Sequence, residues 1–167
     1  MCKFPLTALI FILVLELQAT AATPEQMPGD TTRFTHADTL RGSLTPERAW
    51  WDVTWYDLHV KINPSDSTIS GYNTIAYTVT GRPRALQIDL MTPLVIDSII
   101  QDGRPLTYRR DGNAFFVHTR EAQPLGSRQS VSVYYHGAPR VARRPPWDGG
   151  FIWTTDSLGN PWIATAC

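Results

Sequence analysis

Tyr56-Asp57-Leu58-His59-Val60-Lys61-Ile62 runs directly into Asn63-Pro64-Ser65-Asp66. In the first stretch Tyr56, Leu58, Val60 and Ile62 alternate with Asp57, His59 and Lys61. A period of two places the apolar side chains on one face of an extended chain, so the segment reads as a half-buried β-strand. The second stretch is made of turn formers and ends it.

The same period begins near Trp51 and returns downstream. Ile75, Tyr77 and Val79 alternate with Thr74, Ala76 and Thr78, and Gly71 in that run is read as the mark of a bulge. Gly81-Arg82-Pro83 breaks the run, and Leu86, Ile88 and Leu90 form the next short strand. Leu94–Ile100 is apolar enough to be covered on both faces. Asp102-Gly103 closes a tight turn into Leu106–Arg109, because glycine accepts the positive φ of a two-residue hairpin. Asp111-Gly112-Asn113 turns into Phe115–His118, and Pro124-Leu125-Gly126 is a further break. Val131, Val133 and Tyr135 then alternate with Ser130, Ser132 and Tyr134. Phe151–Trp153 and Trp162–Thr165 read as a last hairpin around Asp156–Asn160. About eight short strands with almost no helical pattern predict an all-β fold, a β-sandwich or curved antiparallel sheet. Thr45-Pro46-Glu47 is the exception. It reads as a helix start, with Thr as cap and Pro in the first helical position, ending near Trp50.

Ahead of the strands, Lys3 is followed by the apolar run Phe4–Leu15 and by the small residues Ala19-Thr20-Ala21. That order predicts a secretory signal peptide over 1–21, and hence a secreted or periplasmic protein; an uncleaved N-terminal anchor is the alternative. The run is shorter than the ~20 residues of a membrane span. A polar, Thr-rich leader without period is expected over 22–47, disordered through Arg41. The β domain would occupy 48–167. Of 167 residues, 15 are Lys or Arg and 15 are Asp or Glu. Losing Lys3 and Glu16 keeps the balance at zero, which argues against a nucleic-acid or anionic-membrane partner. Cys2 leaves with the signal peptide and Cys167 is the last residue, so the cysteines do not form a disulfide framework. The apolar, strand-like Asn160–Cys167 is read as a chain that stops early.

No self-contained active site can be assembled from the sequence. His36, His59, His118 and His136 lack the i, i+4 spacing that sets two imidazoles on one helix face around zinc. His59 and His118 occupy polar positions of alternating strands, where a solvent-facing or hydrogen-bonded histidine is expected. There is no Cys-x-x-Cys cage, no Gly-x-Ser-x-Gly elbow and no Gly-rich phosphate loop. Asp52 and Asp57 read as turn, cap or solvent-facing carboxylates rather than a catalytic pair. Trp50, Trp51, Trp55, Trp147, Trp153 and Trp162 are read as core or domain-interface residues, with sugar stacking as the alternative. The loop Gly137–Gly150 holds Arg140, Arg143 and Arg144 ahead of Pro145-Pro146-Trp147. It is read as a rigid connector salt-bridged to a neighbour, with carboxylate or phosphate capture as the alternative.

Several segments together resemble one family. They are Arg48–Val53, Tyr56–Val60, Ile69-Ser70-Gly71, Leu86–Leu90, Gly112–Val117 and Val133–Gly137. The most specific is Arg143-Arg144-Pro145-Pro146-Trp147-Asp148-Gly149-Gly150-Phe151-Ile152-Trp153, followed by Pro161–Thr165. In order and spacing they resemble the N-terminal domain of M1-family zinc aminopeptidases, notably secreted bacterial members. The resemblance implies a saddle-shaped β domain that packs on a thermolysin-like catalytic domain. It implies zinc held there by His-Glu-x-x-His and a downstream Glu, with peptides as substrates. Neither that motif nor the family's Gly-x-Met-Glu-Asn segment occurs in this chain. No catalytic, metal-binding or substrate-binding residue is therefore carried onto any position. The chain is expected to be a scaffold domain of a zinc aminopeptidase, without zinc or activity of its own. A free-standing secreted β-sandwich that binds glycan or protein is the alternative, and an M1-like protein without catalysis is another.

Overall fold

The computed structural model describes residues 33–166. The expected signal peptide, the leader as far as residue 32, and Cys167 lie outside the described residues. Two short helices come first, α1 (His36–Gly42) and α2 (Pro46–Ala49). The strands then run β1 (Trp51–Asn63), β2 (Thr68–Val79), β3 (Leu86–Asp89), β4 (Val95–Gln101), β5 (Arg104–Pro105), β6 (Thr107–Asp111), β7 (Ala114–His118), β8 (Arg128–Gly137), β9 (Gly150–Thr155) and β10 (Pro161–Ala166). They form a five-stranded sheet β1-β2-β8-β4-β5, a three-stranded sheet β3-β7-β6 and the hairpin β9-β10. All strand pairs are antiparallel, so the expected all-β class is the one observed.

The core lies between the inner faces of the two larger sheets. Tyr77, Val79, Ile99 and Val131 of the large sheet meet Leu86, Phe115 and Val117 of the small one, and all seven are buried. Burying each such side chain contributes about 1.5–3 kcal/mol. Trp50 closes one end. Its ring meets Tyr77 edge-on at 6.1 Å, and its indole N–H donates to the Ala85 carbonyl at 3.1 Å. Helix α2 starts at Pro46, whose missing N–H costs nothing in the first turn.

Asp102 and Gly103 both have positive φ, at 50° and 72°, as the two-residue turn between β4 and β5 requires. The chain then changes sheets. Leu106 is buried at the crossing, and β6 pairs with β7 rather than continuing beside β4.

Three expectations are corrected. Gly71 is not a bulge: its pairing with Val60 and Tyr135 is regular. A Cβ there would lie 1.9 Å from the His59 carbonyl oxygen, so the glycine permits close approach of β1. The bulge lies instead between Val53 and Trp55, where Thr54 is extra and its hydroxyl donates to the Ala76 carbonyl at 3.2 Å. Second, β4 is covered on one face only: Ile96, Ile99 and Gln101 are buried, while Val95 and Asp97 are exposed. Third, His36–Gly42 is a helix where a patternless leader was expected through Arg41. Thr35 accepts from the Asp38 backbone amide at 3.2 Å, and the Asp38 carboxylate accepts from the Thr35 amide at 2.9 Å, a reciprocal capping box. Tertiary contacts hold this helix. Arg48 and Gln87 donate to the Leu40 carbonyl at 3.0 and 2.9 Å, and His36 meets Asp111 at 3.1 Å. That contact is the main cause holding the Asp111 carboxyl below its usual range.

Candidate functional site

A concavity lined by the large sheet follows from unequal strand lengths. β1 and β2 have 13 and 12 residues, whereas β3, β6 and β7 have 4, 5 and 5. The short sheet covers one end of the long one and leaves the rest of its inner face open. The bulge at Thr54 decides which side chains stand there. Before it Trp51 and Val53 face inward; after it Tyr56, Leu58, Val60 and Ile62 do, because one extra residue shifts the period of two. The result is a trough of about 670 Å³, with Leu58, Val60, Ile69, Val133, Tyr135 and Phe151 among its walls. Burial pushes the Tyr135 hydroxyl pKa up.

This overturns the reading of β1 as half-buried. Tyr56, Leu58, Val60 and Ile62 are 58%, 60%, 41% and 43% exposed. The alternation identified the apolar face, but no layer of the described chain lies over it. Arg48, Asp52, Asn73, Gln87 and Asp89 are the polar members of the wall. Asn73, paired between Leu58 and Val133, has its side-chain oxygen buried without a hydrogen-bond partner among the described residues. Trp153, in a separate cavity beside Asn63 and Pro64, likewise has an indole N–H without a partner among the described residues.

The other face of the large sheet is polar and aromatic. His59 stacks on Tyr72 at 4.3 Å, and Tyr72 lies 5.4 Å from Tyr134. These rings turn their faces on each other, so they do not form a flat platform for a sugar ring. Trp55, Trp147 and Trp162 are exposed on β1, on the arginine loop and on β10, whereas Trp50 is core. Asp52 and Asp57 sit opposite Thr78 and Thr74 on β2, four residues apart there. That is about 13 Å along a strand, too far for two carboxylates to share a proton.

The histidines are dispersed. His36 contacts Asp111, His59 contacts Asp57 at 3.1 Å, His136 Nδ1 lies 2.5 Å from Asp97, and His118 is exposed on β7. Among the described residues no three metal-ligating side chains come together.

The loop Gly137–Gly150 is organised by Asp148. Its carboxylate accepts from the backbone amides of Arg143 at 2.6 Å and Arg144 at 3.0 Å, and Arg140 reaches it at 4.0 Å. These contacts, the Arg143 amide first, hold the Asp148 carboxyl below its usual range. Val141 bridges Phe151 in parallel, and Gly150, at φ 124°, lies so close that a Cβ would come 2.7 Å from the Arg140 oxygen. The contacts that organise the loop lie within it and with Phe151. The sequence signal missed earlier is Asp148 itself, placed after the arginines as a backbone cap.

No family model matches the chain, and no curated protein matches it. Solved structures do match by fold. A mutant form of the M1 zinc metallopeptidase from Deinococcus radiodurans is 18% identical with a TM-score of 0.51, over 62% of this chain and 26% of that one. Another structure of that enzyme holds a Tyr-Ser-Ala substrate. Native leukotriene A4 hydrolase from Saccharomyces cerevisiae is 14% identical with a TM-score of 0.54, over 70% and 19%. The yeast hydrolase bound to bestatin is 14% identical with a TM-score of 0.55, over 81% and 21%. The chain spans only 18% to 28% of the length of such solved chains. The fold of this chain is therefore that of the all-β N-terminal domain of M1 zinc metallopeptidases, the domain type its sequence resembles.

Proposed function

We propose that this chain is the non-catalytic N-terminal scaffold domain of an exported M1-type zinc aminopeptidase, and that its trough seats further chain of the same polypeptide. The observation that carries the proposal is the open apolar inner face of the large sheet, where the Asn73 side-chain oxygen has no donor among the described residues. A contiguous exposed apolar surface rimmed by polar residues marks an interaction site. A buried acceptor without a donor is costly until a partner supplies one. The fold likeness supports the choice of partner, because the solved relatives are several times longer than the part this chain matches. Zinc would be held by a catalytic domain, and no step of peptide hydrolysis is assigned to residues of this chain. Its part would be to wall one side of the substrate cleft and restrict entry to peptide N-termini.

The test is an intact-mass and activity measurement on the native protein from its source, beside this chain produced alone. The expected result is a longer native polypeptide that releases N-terminal residues from peptide amides in a zinc-dependent way, while this chain releases none. A native mass equal to the chain without its signal peptide would overturn the reading, as would zinc-dependent release by the chain alone.

A further inference from the structure

The two edges of the five-stranded sheet are unlike. β5 is two residues long and includes Pro105, the usual protection of a sheet edge. β1 is 13 residues long and, among the described residues, pairs only with β2. Its other edge offers a row of backbone N–H and C=O groups. The regular part of β1 is bounded on both sides. The bulge at Thr54 interrupts it at the start, and Pro64, which has no N–H, follows at the end. Between them lie Trp55–Asn63, nine residues centred on His59.

From this edge we infer that β1 pairs with β1 of a second copy, antiparallel, about a two-fold axis at His59. That register is the one using the whole regular segment. It is also the one the charges favour. It sets Asp57 of each copy opposite Lys61 of the other, so both ends of the ladder gain an opposite-charge pair. Lys61 has no ion-pair partner among the described residues, and Asp57 has only the weak contact to His59 on its own strand. On the inner face the register sets Leu58 opposite the second copy's Val60 and Tyr56 opposite its Ile62. All four side chains are substantially exposed in one copy. Cross-strand pairs of these kinds are favourable, and like charges directly opposite are not. A two-fold axis normal to the sheet keeps the two inner faces on one side, giving a continuous ten-stranded sheet with two troughs side by side. This goes beyond the proposed function, since an occupant of the trough approaches the face of the sheet and the second copy approaches its edge.

A charge swap tests the register. The purified full chain is followed by sedimentation velocity across micromolar concentrations. The expected result is a concentration-dependent dimer that D57K or K61D each weakens by about tenfold or more, because each places like charges opposite twice. The double variant D57K/K61D restores the wild-type dimerisation constant. Both positions are exposed, and near-UV circular dichroism confirms that the variants stay folded. In parallel, H59C is oxidised: residues paired across the axis have Cα atoms about 4.5–5.5 Å apart, within disulfide reach. With Cys2 and Cys167 replaced by Ser, a dimer on a non-reducing gel supports the register, with D66C on the β1–β2 turn in the same background as the uncrosslinked control. A wild-type monomer throughout overturns the inference. So does a dimer that neither single variant weakens, or one that the double variant fails to restore.

Discussion

Tyr77 sits fully buried where both tryptophan rings of the β1 entry meet it, and its hydroxyl is satisfied on both sides. It donates to the Gln123 side-chain oxygen at 2.8 Å and accepts from the Gln101 side-chain N–H at 3.2 Å. Burial, as the leading cause, raises its pKa. Tyr77→Phe keeps the packing but leaves the Gln123 side-chain oxygen without its donor and takes one of two acceptors from the Gln101 side-chain N–H. It is expected to cost about 1–3 kcal/mol in urea unfolding, with an unchanged denaturant slope. A cost near zero would mean that water replaces the hydroxyl. Asp148 gives the residue-scale pH dependence. Its pKa is lowered in the folded chain, so the stabilisation it gives is present above the unfolded pKa and lost as pH falls through the folded one. In an NMR titration the Arg143 and Arg144 amides are expected to shift together, with a midpoint below the ordinary Asp value of about 3.9. Asp148→Asn should abolish that shared titration. Separate midpoints for the two amides would dismiss Asp148 as their common cap.

At the scale of elements, β1 makes the sharpest case, because one residue sets the phase of the whole strand. Deleting Thr54 leaves Trp51, Val53, Tyr56, Leu58 and Val60 in unbroken alternation and makes the pairing with Tyr77 and Ala76 regular. It is expected to change stability by no more than about 1 kcal/mol, or about 4 °C in Tm. Deleting Leu58 instead puts one half of the strand out of phase with β2 and should lower Tm by more than the Thr54 deletion does. Equal damage from both deletions would show that the bulge is needed for more than phase. The alternation along β1, β2 and β8 and the turns at Asp102-Gly103, Gly112-Asn113 and Asp156–Asn160 were legible because local chemistry fixes them. The capping box at Thr35 and Asp38 was written in the sequence as well, but the polar composition around it masked the signal. The role of Gly71 was not legible. Close approach of β1 is a tertiary fact, and a glycine inside a strand looks the same whether it makes a bulge or admits a neighbour. The change of sheet at Leu106 was hidden for the same reason: nothing local distinguishes β6 beside β4 from β6 beside β7.

At the scale of the molecule, the period of two tells which side chains share a face and not whether anything covers it. Leu58 and Val131 look alike in the sequence, yet Val131 is core and Leu58 is more than half exposed. The difference arises because a short sheet lies over a long one, a sum over all elements that no window of sequence contains. It makes the trough separable from the core by mutation. Leu58→Lys with Val60→Lys should leave stability within about 0.5 kcal/mol, the range of surface substitutions, because neither side chain is buried. The same pair should sharply reduce the fluorescence of a dye such as ANS, which reports exposed apolar surface. Val131→Lys, by contrast, should unfold the chain by burying an unpaired charge. If the double variant unfolds, the inner face beyond the small sheet belongs to the core after all. If dye fluorescence is unchanged, the apolar surface that matters lies elsewhere, with the exposed Trp147 on the arginine loop as the next place to look. If it falls as expected, a longer native polypeptide should show the same low fluorescence with Leu58 and Val60 intact, because its own chain would then occupy the trough.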